Sequence, residues 1–251
     1  MKNRKLSIRK KIISCFCLVA FAVLMIGITA SHSNTTLASE IEENFTRMSN
    51  LSVDQMISSN PYDYINCEYY NNIVSMGIPA LKVLEENYHN GVYQGLNAYI
   101  AALAIQDISG MNLYECTGCD WKNSAQFFEE WDNTMQNLSD IFEKIINSDD
   151  TVANKIQQIE NYGAFGQAFL CEIRNKENYT FEFSGKKIVV EEKIKLDNVS
   201  DISEEECAKV DEYLDYVMKI SYNSNGGFDA YDMSYGLLWR KTERNSERNT
   251  G

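Results

Sequence analysis

The clearest periodicity in the chain runs from Asn123 to Asn147. Phe128, Trp131, Met135, Leu138, Phe142 and Ile145 follow one another at spacings of three, four, three, four and three. That pattern puts all six on one face of an amphipathic helix, with Asn123 and Gln126 set as its capping box. Three further segments upstream carry the same signature more weakly. One helix, or two short ones, spans Pro61 to Gly77, with Asn60 as cap and Pro61 in the first turn. A second opens at Pro79 with Leu81, Val83 and Leu84 as its stripe and Glu85 and Glu86 outside. A third is "GLNAYIAALAIQDISG", with Leu96, Ile100, Leu103 and Ile108 inward and Ala98, Ala101, Ala102 and Ala104 allowing close approach. Downstream, a helix capped near Asp150 carries Val152, Ile156 and Ile159 to Gly163.

The period then changes from helical to alternating. In "YTFEFSGKKIVVEEKIKL", Phe181 and Phe183 alternate with Thr180 and Glu182. Ser184-Gly185 makes a turn, and Ile188, Val190 and Ile194 continue the pattern, which predicts a β-hairpin. "SEEE", from Ser203 to Glu206, is a second capping box, with acids at the positive end of a helix dipole. It opens a helix using Val210, Tyr213, Leu214 and Val217. A turn at Gly226-Gly227 leads to an aromatic segment and a polar tail. The fold class expected is mainly α with one small β-hairpin.

Two stretches share one plan. "SMGIPALKVLEENY" and "IENYGAFGQAFLCEI" each place a glycine between short apolar helices, and Gly77 and Gly163 are 86 residues apart. That separation is close to twice the roughly 40–47-residue period of HEAT and armadillo units. Over about residues 60–173 the chain resembles a HEAT-like α-helical repeat, which implies antiparallel helical hairpins stacked on one another. An irregular helical bundle is the competing arrangement. The organisation expected is a signal peptide or membrane anchor over 1–38, a polar linker over 39–59 and a helical HEAT-like domain over 60–173. A hairpin and helix over 174–240 would pack on that domain, followed by a disordered tail over 241–251.

Composition adds an address. Lys2, Arg4, Lys5, Arg9, Lys10 and Lys11 precede an uncharged run from Ile12 to Ala30, and small-residue sites end at Ala30 and Ala38. This is the order of a secretory signal, and the run is also just long enough to span a bilayer uncleaved. Either way, the chain beyond the leader is placed outside the membrane, secreted or on the extracellular face. The Asn- and Lys-rich vocabulary points to a Gram-positive bacterium. The whole chain carries a formal charge of −13, and setting aside the six leader cations leaves −19. Such a surface repels phosphate backbones, which excludes nucleic acid and favours a neutral or basic protein partner. Membrane contact is expected only through the N-terminal segment, if it is uncleaved.

Candidate chemistry is sparse. His32 lies by the leader, so catalysis through histidine would fall to His89, in the loop-like "ENYHNG". HExxH, Walker, GxGxxG and GxSxG patterns are absent, and no cofactor or metal is implied. The sharpest motif is "YECTGCDW". Cys116 and Cys119 are a candidate disulfide or, in a thioredoxin-like context, a redox pair; a zinc site would need two more ligands, and Cys67, Cys171 and Cys207 are scattered. "NSNGG" with Asp229 and Asp232 lacks the closing glutamate of a calcium loop. Tyr62, Tyr64, Tyr69 and Tyr70 crowd one segment and form a candidate interface, since tyrosine offers rigid area with a polar tip. The chain resembles small secreted bacterial proteins without assigned activity more than a characterised enzyme. The function expected is a non-enzymatic protein-interaction module of a bacterial cell envelope. The alternative is an extracytoplasmic enzyme, either a thiol oxidoreductase using Cys116 and Cys119 or a carboxylate-based cell-wall hydrolase.

Overall fold

A long, almost uniformly apolar helix sets the centre of the fold. In α5 (Gly95–Ser109) Ala98 and every residue from Ile100 to Ile105 are buried, as befits a helix surrounded on all sides. The computed structural model describes residues 36–50, 60–175, 180–190 and 202–224. The leader, Ile194 of the predicted hairpin, the Gly226-Gly227 turn, Asp229, Asp232 and the tail lie outside the described residues. No helix of the described residues is long and apolar enough to cross a membrane.

Before α5 come α1 (36–49), α2 (Tyr62–Ile65), α3 (Glu68–Ser75) and α4 (Pro79–His89). After it come α6 (Leu113–Thr117), α7 (Ser124–Gln136), α8 (Leu138–Ile146), α9 (Val152–Glu160) and α10 (Ala164–Asn175). The strands β1 (Thr180–Phe183) and β2 (Lys186–Val189) and the helix α11 (Glu204–Ser224) complete the described elements. The chain is mainly helical with one small antiparallel hairpin, as expected.

Three local expectations are corrected. The segment 39–59, expected to be a polar linker, is helical as far as residue 49 and buries Ile41, Phe45 and Met48 in the core. Full burial is worth roughly 1.5–3 kcal/mol for each such side chain, so this helix belongs to the folded body. The long helix expected from Asn123 is two helices. Asn137 Nδ2 donates to the Asn133 carbonyl at 2.7 Å, competing with the backbone there, and the chain breaks between α7 and α8. The capping box itself holds: Asn123 accepts from the Gln126 N–H, and Gln126 Oε1 accepts from the Lys122 N–H at 2.8 Å. Leu96, expected inward, is 40% exposed.

Among the described residues, helices adjacent in the chain pack on each other at α4–α5 and α8–α9 as well as at α9–α10. α9 and α10 pack on each other, whereas α3 and α4 pack chiefly on α5. Gly77 (φ 68°) and Gly163 (φ 58°) both turn the chain with a left-handed backbone, but they meet different surroundings. A side chain at Gly77 would meet open space. A Cβ at Gly163 would lie 2.1 Å from the Ser109 carbonyl oxygen at the end of α5. Gly166 is equally tight, with the Ile159 carbonyl oxygen 1.9 Å from its would-be Cβ. The α9–α10 hairpin is therefore locked to α5 through backbone contact.

The β-hairpin pairs Phe181 with Ile188 and Phe183 with Lys186 across a turn at Ser184 (φ 48°) and Gly185 (φ 67°). Both turn residues have positive φ, which matches a two-residue hairpin turn to the strand twist. Its apolar face buries Phe181, Phe183, Ile188 and Val190 beside Phe142 and Phe169. Ser139 Oγ donates to the Phe183 carbonyl at 2.8 Å, and Lys186 pairs with Asp140 and Glu143 on α8. The Ser203–Glu206 box caps α11 as expected. That last helix then lies against α4, α7 and α10 together.

Candidate functional site

Where α11 crosses α4 and α7, the core contains a carboxylate. Glu85 is 5% exposed and lies among Leu81, Leu84 and Trp131, all fully buried. Its Oε1 accepts from the Trp131 indole N–H and from the Tyr213 hydroxyl. The same indole N–H also reaches the Tyr213 oxygen at 3.1 Å, which closes a triangle between three helices. Burial, followed by the nearby Asp132 charge, pushes the Glu85 carboxyl up to about 7, while Tyr213, His89 and Trp131 restrain the rise. Beside the triangle, His89 Nε2 meets Asp132 Oδ1 at 3.2 Å. A recess of about 30 Å³, room for a water-sized group, is lined by Glu85, His89, Asp132, Met135 and Val217. Among the described residues no three His, Cys, Asp or Glu side chains gather as a metal ion would require.

Neither Glu85 nor His89 sits where the sequence pattern puts it. That pattern places Glu85 on the outer face of its helix. It falls four residues after Leu81 and one after Leu84, squarely on their stripe, and that offset is the available signal. A second signal is Trp131 and Tyr213 themselves, predicted as core positions whose polar tips need a partner once buried. His89 is the last residue of α4 rather than a loop residue. Its ring packs edge-on against Tyr88 and Phe128.

Cys116 and Cys119 fall at the wrong end of a helix for thiol chemistry. Cys116 lies in the last turn of the short α6, which Gly118 terminates in left-handed conformation. The negative end of a helix dipole disfavours thiolate, whereas reactive pairs open a helix. The Cys116 thiol donates to the Asn161 carbonyl at 3.1 Å, and burial, then Glu115, push it up to about 12. Burial, Glu130, Asp120 and Glu129 raise Cys119 as well. The Cys116 sulfur thus faces the α9–α10 turn, where Tyr162 also donates its hydroxyl to the Cys116 carbonyl at 3.4 Å.

The tyrosine group divides. Tyr64 and Tyr70 are buried, and Tyr70 donates its hydroxyl to Asp107 at 2.6 Å, so these two serve the core and not an interface. Tyr69 is half-buried with the Arg47 guanidinium 5.7 Å from its ring centre. Tyr62 is 55% exposed and lies near enough to Tyr99 to add, after burial, to the rise of its phenol; the Tyr99 ring centre lies 4.8 Å from that of Trp121. Trp121, half-buried, donates its indole N–H to Gln106 at 3.3 Å and packs edge-on against Phe127 in the core. A row of three aromatic side chains therefore lies along the surface with Leu96 one helical turn from Tyr99. The sequence pattern misses Tyr99 and Trp121 because the row joins α2, α5 and the segment before α7. Comparison with protein-family models, with curated proteins and with solved structures finds no match.

Proposed function

We propose that the chain is an exported, non-enzymatic protein-interaction module of a bacterial cell envelope, and that it meets its partner through the Tyr62–Tyr99–Trp121 row. The observation that carries this reading is the row itself: rigid aromatic area, anchored in the core through Phe127 and open at Tyr62. Aromatic anchors with polar tips are the side chains that dominate protein contacts. The order of charges and apolar residues in the leader supports export, and the formal charge of −13 favours a neutral or basic partner. The test places a photo-crosslinking amino acid at Tyr62 of the full chain in cells, with the exposed Glu205 as control position. A discrete product from position 62 and none from 205 is the expected result. Equal products from both, or none from 62, sink the reading.

One observation favours a second reading, the carboxylate-based hydrolase. Glu85, raised to about 7, lies near the Asp132 charge, and unequal carboxylates are how acid and base roles are divided in glycoside cleavage. Against it stand the size of the recess and the donors already bound to Glu85. Release of soluble dye from labelled wall material by the wild-type chain, lost in E85Q and D132N, would favour this alternative.

A further inference from the structure

The packed helices α10 and α11 each carry one cysteine. Cys171 is buried in α10, and Cys207 is half-buried in the first turn of α11. The two helices pack on each other, with the Phe165 and Tyr213 ring centres 5.6 Å apart; neither cysteine is in a disulfide, and Cys171 lies near enough to help raise the Cys207 thiol. The other thiols face elsewhere: Cys67 donates to the Tyr64 carbonyl at 3.3 Å and Cys116 to the Asn161 carbonyl at 3.1 Å. The two cysteines are separated by 35 residues, among them the whole β-hairpin. A covalent link there would tie the last described helix to the helical body across that intervening segment.

We propose that Cys171 and Cys207 form a disulfide when the chain meets an external disulfide oxidant, either a small-molecule disulfide or the disulfide of a thiol oxidase. Cys207, the more accessible, loses its proton to solvent and attacks one sulfur of the oxidant, releasing the other as a thiolate. Deprotonated Cys171 then attacks the Cys207 sulfur of the mixed disulfide and releases the second thiolate. The two cysteines together lose two protons and two electrons, and the oxidant is reduced to two thiols. Helix packing holds the two cysteines near each other, so the second step is intramolecular.

The surroundings set the conditions. Burial, then Cys171, then Asp211 and Glu172, push the Cys207 thiol up to about 11. Thiolate is therefore scarce at pH 7, and the rate of bond formation should climb about tenfold per pH unit towards pH 9. Asp211 and Glu172 lie by Cys207, whereas the Arg174 guanidinium donates to Cys171 Sγ at 3.9 Å, so attack through Cys207 should make cationic cystamine react faster than anionic oxidised glutathione.

The full chain is incubated with each oxidant at pH 8.5, remaining thiols are alkylated, and the digest is mapped by mass spectrometry without reduction. A peptide joining Cys171 to Cys207 is expected, with Tm raised by roughly 5–10 °C and restored by dithiothreitol. C207S and C207A, each folded by circular dichroism under reducing conditions, should show neither change. Recovery of Cys171 and Cys207 separately alkylated from the folded wild type overturns the proposal. So does a link from either cysteine to Cys67, Cys116 or Cys119.

Discussion

Gly77 and Gly163 look like the same punctuation mark, yet the turns they make differ in what they demand. At Gly77 only the backbone angle is demanding: the turn is open, and it aims α4 towards α7 and α11 without a close neighbour. At Gly163 the angle and the absence of a side chain are both required, because the hairpin of α9 and α10 sits on the carbonyl end of α5. The helices after the two turns also differ. α4 brings a carboxylate to α11, whereas α10 brings Phe165 to α11 and Phe169 to the β-hairpin. Both helices meet at Tyr213, which donates to the Glu85 carboxylate and packs its ring on Phe165. Resemblance between two sequence stretches gives the local turn, and the neighbour each turn meets gives its energetic weight.

The largest expected effect comes from G163A. A Cβ at 2.1 Å from a carbonyl oxygen cannot be housed by a side-chain adjustment, and the positive φ adds its own cost. Urea unfolding should show a loss of roughly 4 kcal/mol or more. G166A, with a carbonyl oxygen at 1.9 Å, should come close to it. A loss under about 1 kcal/mol in both would mean that the hairpin is not held by backbone contact.

The α4 side is probed by pH. The Glu85 carboxyl rises from 4.5 unfolded to about 7 folded, so the folded state holds its proton where the unfolded chain has already released it. The associated stability is fully present below pH 4.5, declines as pH rises, and is gone just above pH 7. Because Glu85 is buried, solvent screening takes little from the decline, which should be on the order of 3 kcal/mol. In E85Q the amide oxygen accepts the same two donors without a charge, so denaturation from pH 4 to 8 should show the variant gaining on the wild type as pH rises. A difference between the two that does not change with pH would remove the buried-carboxylate account. The smallest effect belongs to G77A, expected to cost about 1 kcal/mol through backbone conformation alone. A value near that of G163A would erase the contrast between the turns.

What is visible in the sequence depends on how local each cause is. The hairpin is legible because alternation, Ser184-Gly185 and the buried phenylalanines all lie within eleven residues. Both capping boxes are legible for the same reason. The break at Asn137 is not, since the apolar spacing runs through it undisturbed and only a side-chain hydrogen bond marks it. Residues 36–49 hide three core positions, Ile41, Phe45 and Met48, at a helical spacing diluted by polar neighbours. Of the candidate sites, Tyr62 keeps its exposure and gains two partners that no linear pattern joins. Cys171 and Cys207 belong to a scattered set, and only the packing of α10 on α11 brings them near each other.

The Tyr213 hydroxyl meets a carboxylate 128 positions earlier in the chain. During synthesis α4 and α7 are made long before the residue that completes their triangle, so Glu85 and Trp131 stay half-partnered until nearly all of the described fold has been translated. Closing so long a loop is slow, and every earlier folding species exposes the surface that α11 later covers. A nascent chain of this protein therefore has a sticky adolescence, and the last described helix ends it.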